Sequence, residues 1–191
     1  DDPLAEFARQ QDVELVRGPE DNVLQRFAMA ARQVAPDVMV RVTGDAPLID
    51  PETLDLFISR LNEEHGDYCT SDPSPPRVIH EGFCTFTRNA FERLLQEAPD
   101  DPAAREHITA YFKEHPESYR IVYQPKDPKH VFEGARLSVD TPADFRFMEA
   151  IYQRLNAAPG EAAVAEGRVV TRGLGDAGDQ FGCEFWPGGA P

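Results

Sequence analysis

The chain has 191 residues, 41% of them apolar and 28% charged, which is enough for one domain with a sizeable core and short for two. Acidic residues outnumber basic ones 34 to 19, giving a formal net charge of −15. No basic stripe of the kind that polyanion binding needs is present, so nucleic acid is not an expected partner. No apolar run is long enough to cross a bilayer, and no basic start precedes an apolar block, so the expectation is a cytoplasmic protein without membrane association. An acidic protein can still hold a nucleotide when a metal ion bridges the charges.

The predicted elements alternate along the chain. "DDPLAEFARQQ" reads as a helix and "VELV" (13–16) as a short strand. "PEDNVLQRFAMAARQV" sets Val23, Leu24, Phe27, Ala28 and Ala31 on one helical face. "VMVRVTG" is a strand, and "PETLDLFISRLNEE" is a helix with Leu54, Phe57, Ile58 and Leu61 inward. "YCTS" and "FCTFT" are strand-like, "NAFERLLQEA" and "AAREHITAYFKEH" are helices, "YRIVYQ" and "ARLSVD" are strands, and "PADFRFMEAIYQRL" closes the series as a helix. Such alternation predicts an α/β domain with a mostly parallel sheet over residues 1–156. Eight of the thirteen glycines fall between Gly160 and Gly189, so 157–191 reads as an irregular tail with one candidate strand in "GRVVTRG". The chain opens directly at a helix, which points to an α/β domain lacking its first strand-loop-helix unit.

Helix starts share one device. Asp2-Pro3, Asp50-Pro51, Asp101-Pro102 and Thr141-Pro142 each place a capping side chain before a proline that suits the first helical position. Asp144, three residues after Thr141, completes a near capping box. Cys69, Cys84 and Cys183 have no metal-type spacing. The first two lie in apolar strand-like runs and read as small buried hydrophobes.

Ligands of open α/β sheets gather at the carboxyl ends of strands. Asp45 follows the strand "VMVRVTG", with Gly44 making room for a tight turn, and Asp140 follows "RLSV". Two such carboxylates can converge on a hard cation such as Mg²⁺, whose other positions go to water and phosphate oxygens. Asp50, five residues after Asp45, already has a structural job as a cap. For Asp140, the competing role is support of the helix that starts beside it.

Four segments in order resemble one family. "VRVTGDAPLIDPETLD", "GPEDNVLQRF", "REHITAYF" and "LSVDTPADF" are similar to the sugar cytidylyltransferases, nearest to the spore-coat polysaccharide type and related to the CMP-Kdo and CMP-acylneuraminate synthetases. The resemblance runs from about Asp1 to Leu155. It implies a Rossmann-like nucleotide-diphospho-sugar transferase sandwich and a Mg²⁺-dependent transfer of CMP from CTP to an acidic sugar, with release of pyrophosphate. It further implies metal ligation by Asp45 and Asp140, nucleotide-side contacts from Arg26, Arg41 and Gly44, and sugar-side contacts from Arg105, Glu106 and His107. A homodimer formed through the Ser71–Thr87 region also follows from it.

Two departures bear on that expectation. The family opens with a strand and a basic, glycine-containing phosphate loop, and neither precedes Asp1 in the sequence. Relatives often set a carboxylate on the strand here read as "FCTFT", which instead carries Cys84, Thr85 and Thr87. The competing functions are another nucleotidyl or glycosyl transfer on the same fold, and a non-catalytic binding or assembly module.

Overall fold

The computed structural model describes residues 2–75, 83–131 and 137–156. The candidate strand in "GRVVTRG", Cys183 and residues 76–82 before "FCTFT" fall outside the described residues.

The elements in chain order are α1 (Asp2–Gln10), α2 (Val23–Val34), β1 (Val38–Val42), α3 (Pro51–Glu63), β2 (Tyr68–Ser71), β3 (Phe83–Thr87), α4 (Arg88–Glu97), α5 (Pro102–Glu106), α6 (Ile108–Glu114), β4 (Ile121–Gln124), a 3-10 turn (Pro128–His130) and α7 (Pro142–Asn156). The sheet order is β1-β3-β2-β4. β3 runs antiparallel to both neighbours, whereas β2 and β4 are parallel. Three strands therefore share one direction, as the alternating pattern predicts, but the reversed β3 between β1 and β2 makes the pairing mixed. The short link from β2 to β3 allows this, because a parallel pair needs a longer crossover.

Strand alternation sorts the side chains between two layers. Met39, Tyr68, Cys84 and Phe86 face a core closed by Leu24 and Ala28 of α2, Phe91 and Leu94 of α4, Ala104 of α5 and Phe112 of α6. Phe86 lies at its centre, with ring centroids 5.8 Å from Phe91 and 5.6 Å from Phe112. Cys69, Phe83 and Val122 face the other way, onto Phe57 and Leu61 of α3. The result is helices on both faces of one sheet. Truncating a side chain as buried as Phe86 costs about 3–5 kcal/mol. Gly66 permits the close approach of α3's end to β4, since a Cβ there would lie 2.5 Å from Val122 Cγ2.

The capping device holds at three of its four sites. Asp50 accepts from the Thr53 N–H at 3.2 Å and Asp101 from the Ala104 N–H at 2.7 Å. Thr141 Oγ1 accepts from the Asp144 N–H at 3.2 Å while the Asp144 carboxylate accepts from the Thr141 N–H at 2.8 Å, a reciprocal capping box. Asp2 differs: it lies inside α1 and its carboxylate accepts from Arg17 at 2.8 Å.

Three local expectations need correction. Residues 13–16 form no strand; the Val13 N–H donates back to the Ala8 carbonyl at the end of α1, at 3.0 Å. Residues 137–140 of "ARLSVD" are likewise not in a strand; Val139 makes a backbone bond to Asp45 instead of joining a ladder. The helix expected over "AAREHITAYFKEH" is two, because His107 leaves helical geometry at φ −127° and ψ 79°.

Candidate active site at the carboxyl edge of the sheet

β1, β2 and β4 all end at one edge of the sheet, and β1 delivers the chain there into Thr43, Gly44 and Asp45. The Ala46 N–H donates to the Thr43 carbonyl at 3.1 Å, closing a tight turn in which Gly44 is buried. Two distant parts of the chain hold this loop. The Val139 N–H donates to the Asp45 carbonyl at 2.8 Å. The Tyr152 hydroxyl on α7 donates to the Pro47 carbonyl at 3.0 Å, inside a small core of Leu48, Leu137, Val139, Met148 and Tyr152. The segment carrying Asp140 is thereby fixed beside the segment carrying Asp45.

The carboxylates at this edge have different tasks. Asp50 is a cap: besides the Thr53 N–H it accepts the Thr53 hydroxyl at 2.5 Å, with His130 Nε2 at 4.0 Å. Asp45 is half-buried, and among the described residues its carboxylate makes no hydrogen bond or ion pair. Asp140 is exposed and accepts from Ser138 Oγ at 2.9 Å. It is not the residue that serves the start of α7, because Asp144 accepts from the N–H groups of both Asp140 and Thr141. Asp45 and Asp140 thus stand on two segments joined by a backbone bond, and the capping box of α7 is formed by Thr141 and Asp144.

Among the described residues no group of three or more His, Cys, Asp or Glu side chains is arranged to hold a metal. Two carboxylates still suit Mg²⁺, which keeps several waters and takes phosphate oxygens of the substrate. The donor set therefore fits a hard cation bound jointly with a nucleotide, and does not fit an all-protein cage.

The other expected site residues are spread over α2, β1 and the α5–α6 junction. Arg26 donates to the carbonyls of Pro19 at 2.5 Å and Glu20 at 2.8 Å, and its stem packs where a Gly18 Cβ would lie, at 3.0 Å. Arg41 lies on β1 opposite Cys84 and is half-buried. Arg105 pairs with Asp100 at 2.7 Å, while its Nε is buried without a partner among the described residues. Glu106 and His107 are exposed, 3.8 Å apart, where α5 meets α6. No described hydrogen bond or ion pair joins this junction to Asp45 or Asp140.

The cysteines are structural. Burial is the main cause that pushes the Cys69 thiol up to about 12 and the Cys84 thiol up to about 11. Both stay protonated at neutral pH, so neither supplies a thiolate nucleophile. Sequence reasoning missed the two long-range backbone anchors on the Asp45 loop. One sequence offers no signal for contacts made by residues as far apart as Pro47 and Tyr152.

A mixed α/β sheet covered on both faces, with the Asp45 and Asp140 segments joined at its carboxyl edge, defines an α/β domain of the kind that takes ligands at its strand ends. The family described as "Cytidylyltransferase" matches residues 2–165, and the chain belongs to that family. It is 29% identical over 163 residues to the spore coat polysaccharide biosynthesis protein SpsF of Bacillus subtilis (strain 168), covering 85% of this chain and 67% of that protein. It resembles the structure of a cytidylyltransferase from Leptospira borgpetersenii serovar Hardjo-bovis (strain JB197), with TM-score 0.71 and 28% identity over 81% of this chain and 64% of that one. It also shares the fold of CMP:2-keto-3-deoxy-manno-octonic acid synthetase, solved with CTP, at TM-score 0.57 and 16% identity over 81% and 78% of the two chains. The chain spans about two thirds of the length of the first two relatives. No described helix is long and apolar enough to cross a membrane.

Proposed function

We propose that the protein transfers CMP from CTP to an acidic sugar, releasing pyrophosphate and supplying an activated sugar for surface polysaccharide. The observation that carries this reading is the 2.8 Å backbone bond from Val139 to Asp45, which joins the two carboxylate-bearing segments at the sheet edge where α/β domains take ligands. Family membership and the CTP bound in the synthetase neighbour's structure support the choice of nucleotide.

In this reading Asp45 and Asp140 hold Mg²⁺. When bound, that ion neutralises the triphosphate and draws charge from the phosphorus under attack. The buried Gly44 lets the loop backbone come close to the phosphates, and Arg26 holds the 18–20 loop through its two carbonyl contacts. Arg105, Glu106 and His107 form the acceptor side. A sugar hydroxyl forms the new bond to the α-phosphorus as the bond to pyrophosphate breaks. Alignment and electrostatics carry most of such a transfer, so no strong protein base is required. The active species is a homodimer, which light scattering at micromolar concentration tests directly.

The test is pyrophosphate release by the full-length protein with each of the four nucleoside triphosphates, Mg²⁺ and 3-deoxy-manno-octulosonate or N-acetylneuraminate. The expected result is turnover with CTP and one of these acids. Turnover with a different nucleotide would assign another nucleotidyl transfer. CTP that does not bind in the presence of Mg²⁺ would assign a non-catalytic module.

A further inference from the structure

Beyond the Met39–Phe86–Tyr68 row that the helices bury, one more row of the same sheet face lies toward the carboxyl edge. β1 pairing sets Arg41 beside Cys84, and β2–β4 pairing sets Thr70 beside Tyr123. Extending the Cys69–Thr85 register places Thr70 next to Cys84, so the row reads Arg41, Cys84, Thr70, Tyr123 across the four strands. Helix α6 packs on the inner row beside it. Its Phe112 ring packs 5.2 Å from Tyr68 and 5.6 Å from Phe86. One helical turn of α6 presents Thr109, hydrogen-bonded to the Tyr68 hydroxyl, and Lys113, whose charge reaches the Cys84 thiol.

The charge balance of this row is unusual for so acidic a chain. Among the described residues, Arg41 is the one half-buried arginine or lysine whose side chain makes no hydrogen bond or ion pair. Arg26, Arg60, Arg93, Arg105 and Lys126, its counterparts in burial, all have oxygen partners. Lys113, also unpaired among the described residues, adds a second cation. The Cys84 thiol between them does not neutralise them, since burial keeps it protonated at neutral pH. Removing a guanidinium from water is costly unless an anion meets it. The fork of an arginine matches a carboxylate in a bidentate way, and nearby hydroxyls suit a polyol.

We propose that Arg41 and Lys113, above the Cys84–Thr70 row, form the subsite that takes the carboxylate of the acceptor sugar. This rests on the sugar-acid reading given above, and it moves Arg41 from the nucleotide side to the acceptor side. Asp45 and its loop continue from the same strand, so the subsite lies one short turn from the proposed phosphate end.

The test is calorimetric titration of the full-length protein with 3-deoxy-manno-octulosonate, with the methyl ester of that acid and, separately, with CTP and Mg²⁺. The wild type is expected to bind the acid at least about 10-fold more tightly than the ester, as a charge-assisted contact implies. Arg41→Gln and Lys113→Gln should each remove most of that preference while the Kd for CTP changes less than about two-fold, and Arg41→Lys should keep part of it. Lys113 is exposed, so its variant reports on binding even if Arg41→Gln folds poorly. Equal binding of acid and ester by the wild type, or a loss that falls on CTP, overturns the subsite. A wild type that prefers the acid but never binds CTP keeps the subsite and overturns the cytidylyl reading.

Discussion

The two ends of the sheet use the same residue types in opposite ways. At the amino ends of β2 and β4, Asp67 accepts from both terminal nitrogens of Arg93, at 3.2 and 3.0 Å, and from the Arg120 N–H at 3.0 Å. Arg93 also donates to the Ser118 carbonyl at 3.2 Å and lies 4.7 Å above the Tyr119 ring, whose hydroxyl donates to Glu97 at 2.7 Å. The Asp67 carboxylate holds the Arg93 guanidinium above its ordinary range, and burial with the Glu97 contact raises the Tyr119 hydroxyl. The Asp67, Arg93 and Glu97 side chains there all have partners. At the carboxyl edge, the Asp45 carboxylate and the Arg41 guanidinium have none among the described residues. The satisfied network at one end makes a fixed frame, whereas the Asp45 and Arg41 side chains at the other have no partner among the described residues and are the groups proposed above to meet a ligand.

Substitutions should divide along that line, with activity lost at one end and stability at the other. Asp45→Asn is expected to have the largest effect, a loss of at least about 100-fold in CTP-dependent turnover with the thermal midpoint almost unchanged. Parallel loss of stability would mean that Asp45 belongs to the frame. Asp67→Asn should do the reverse. It leaves Arg93 partly buried without its counter-ion, which costs about 2–3 kcal/mol in a denaturant titration after allowance for its partial exposure, while CTP affinity holds. Tyr152→Phe sits between the two ends in character. Losing its bond to the Pro47 carbonyl should cost about 1 kcal/mol and lower turnover several-fold, because it loosens the loop that carries Asp45. The smallest effect concerns the thiols: Cys69 and Cys84 should resist alkylation at neutral pH in the native protein and react once denaturant unfolds it. Rapid labelling of either in the folded state would show that the core over them opens readily.

Much of the frame was legible in the sequence. The faces of α2 and α3 followed from their periodicity, because burial of Leu24, Ala28, Phe57 and Leu61 is a local property of each helix. Asp50, Asp101 and Thr141 were legible as caps because the Asp-Pro and Thr-Pro signals act over three residues. Asp45 stood out for the complementary reason, as a strand-end aspartate without a capping task. What failed depended on partners elsewhere. Residues 13–16 have strand-like composition but join no described ladder, and β3 reverses between two strands in a way that composition does not encode. The break at His107 has no glycine or proline to mark it. The link from Val139 to Asp45, on which the site depends, is made by backbone atoms, and backbone atoms leave no trace in residue identity.

The central claim is that Asp45 and Asp140 act together on a metal-bound nucleotide. Calorimetric titration of CTP into the wild type, Asp45→Asn and Asp140→Asn, with and without Mg²⁺, tests it most directly. The account predicts that Mg²⁺ strengthens CTP binding to the wild type by at least about 10-fold and that either substitution removes this gain, with the double variant no worse than the singles. Undiminished Mg²⁺-dependent binding of CTP by Asp45→Asn would contradict it.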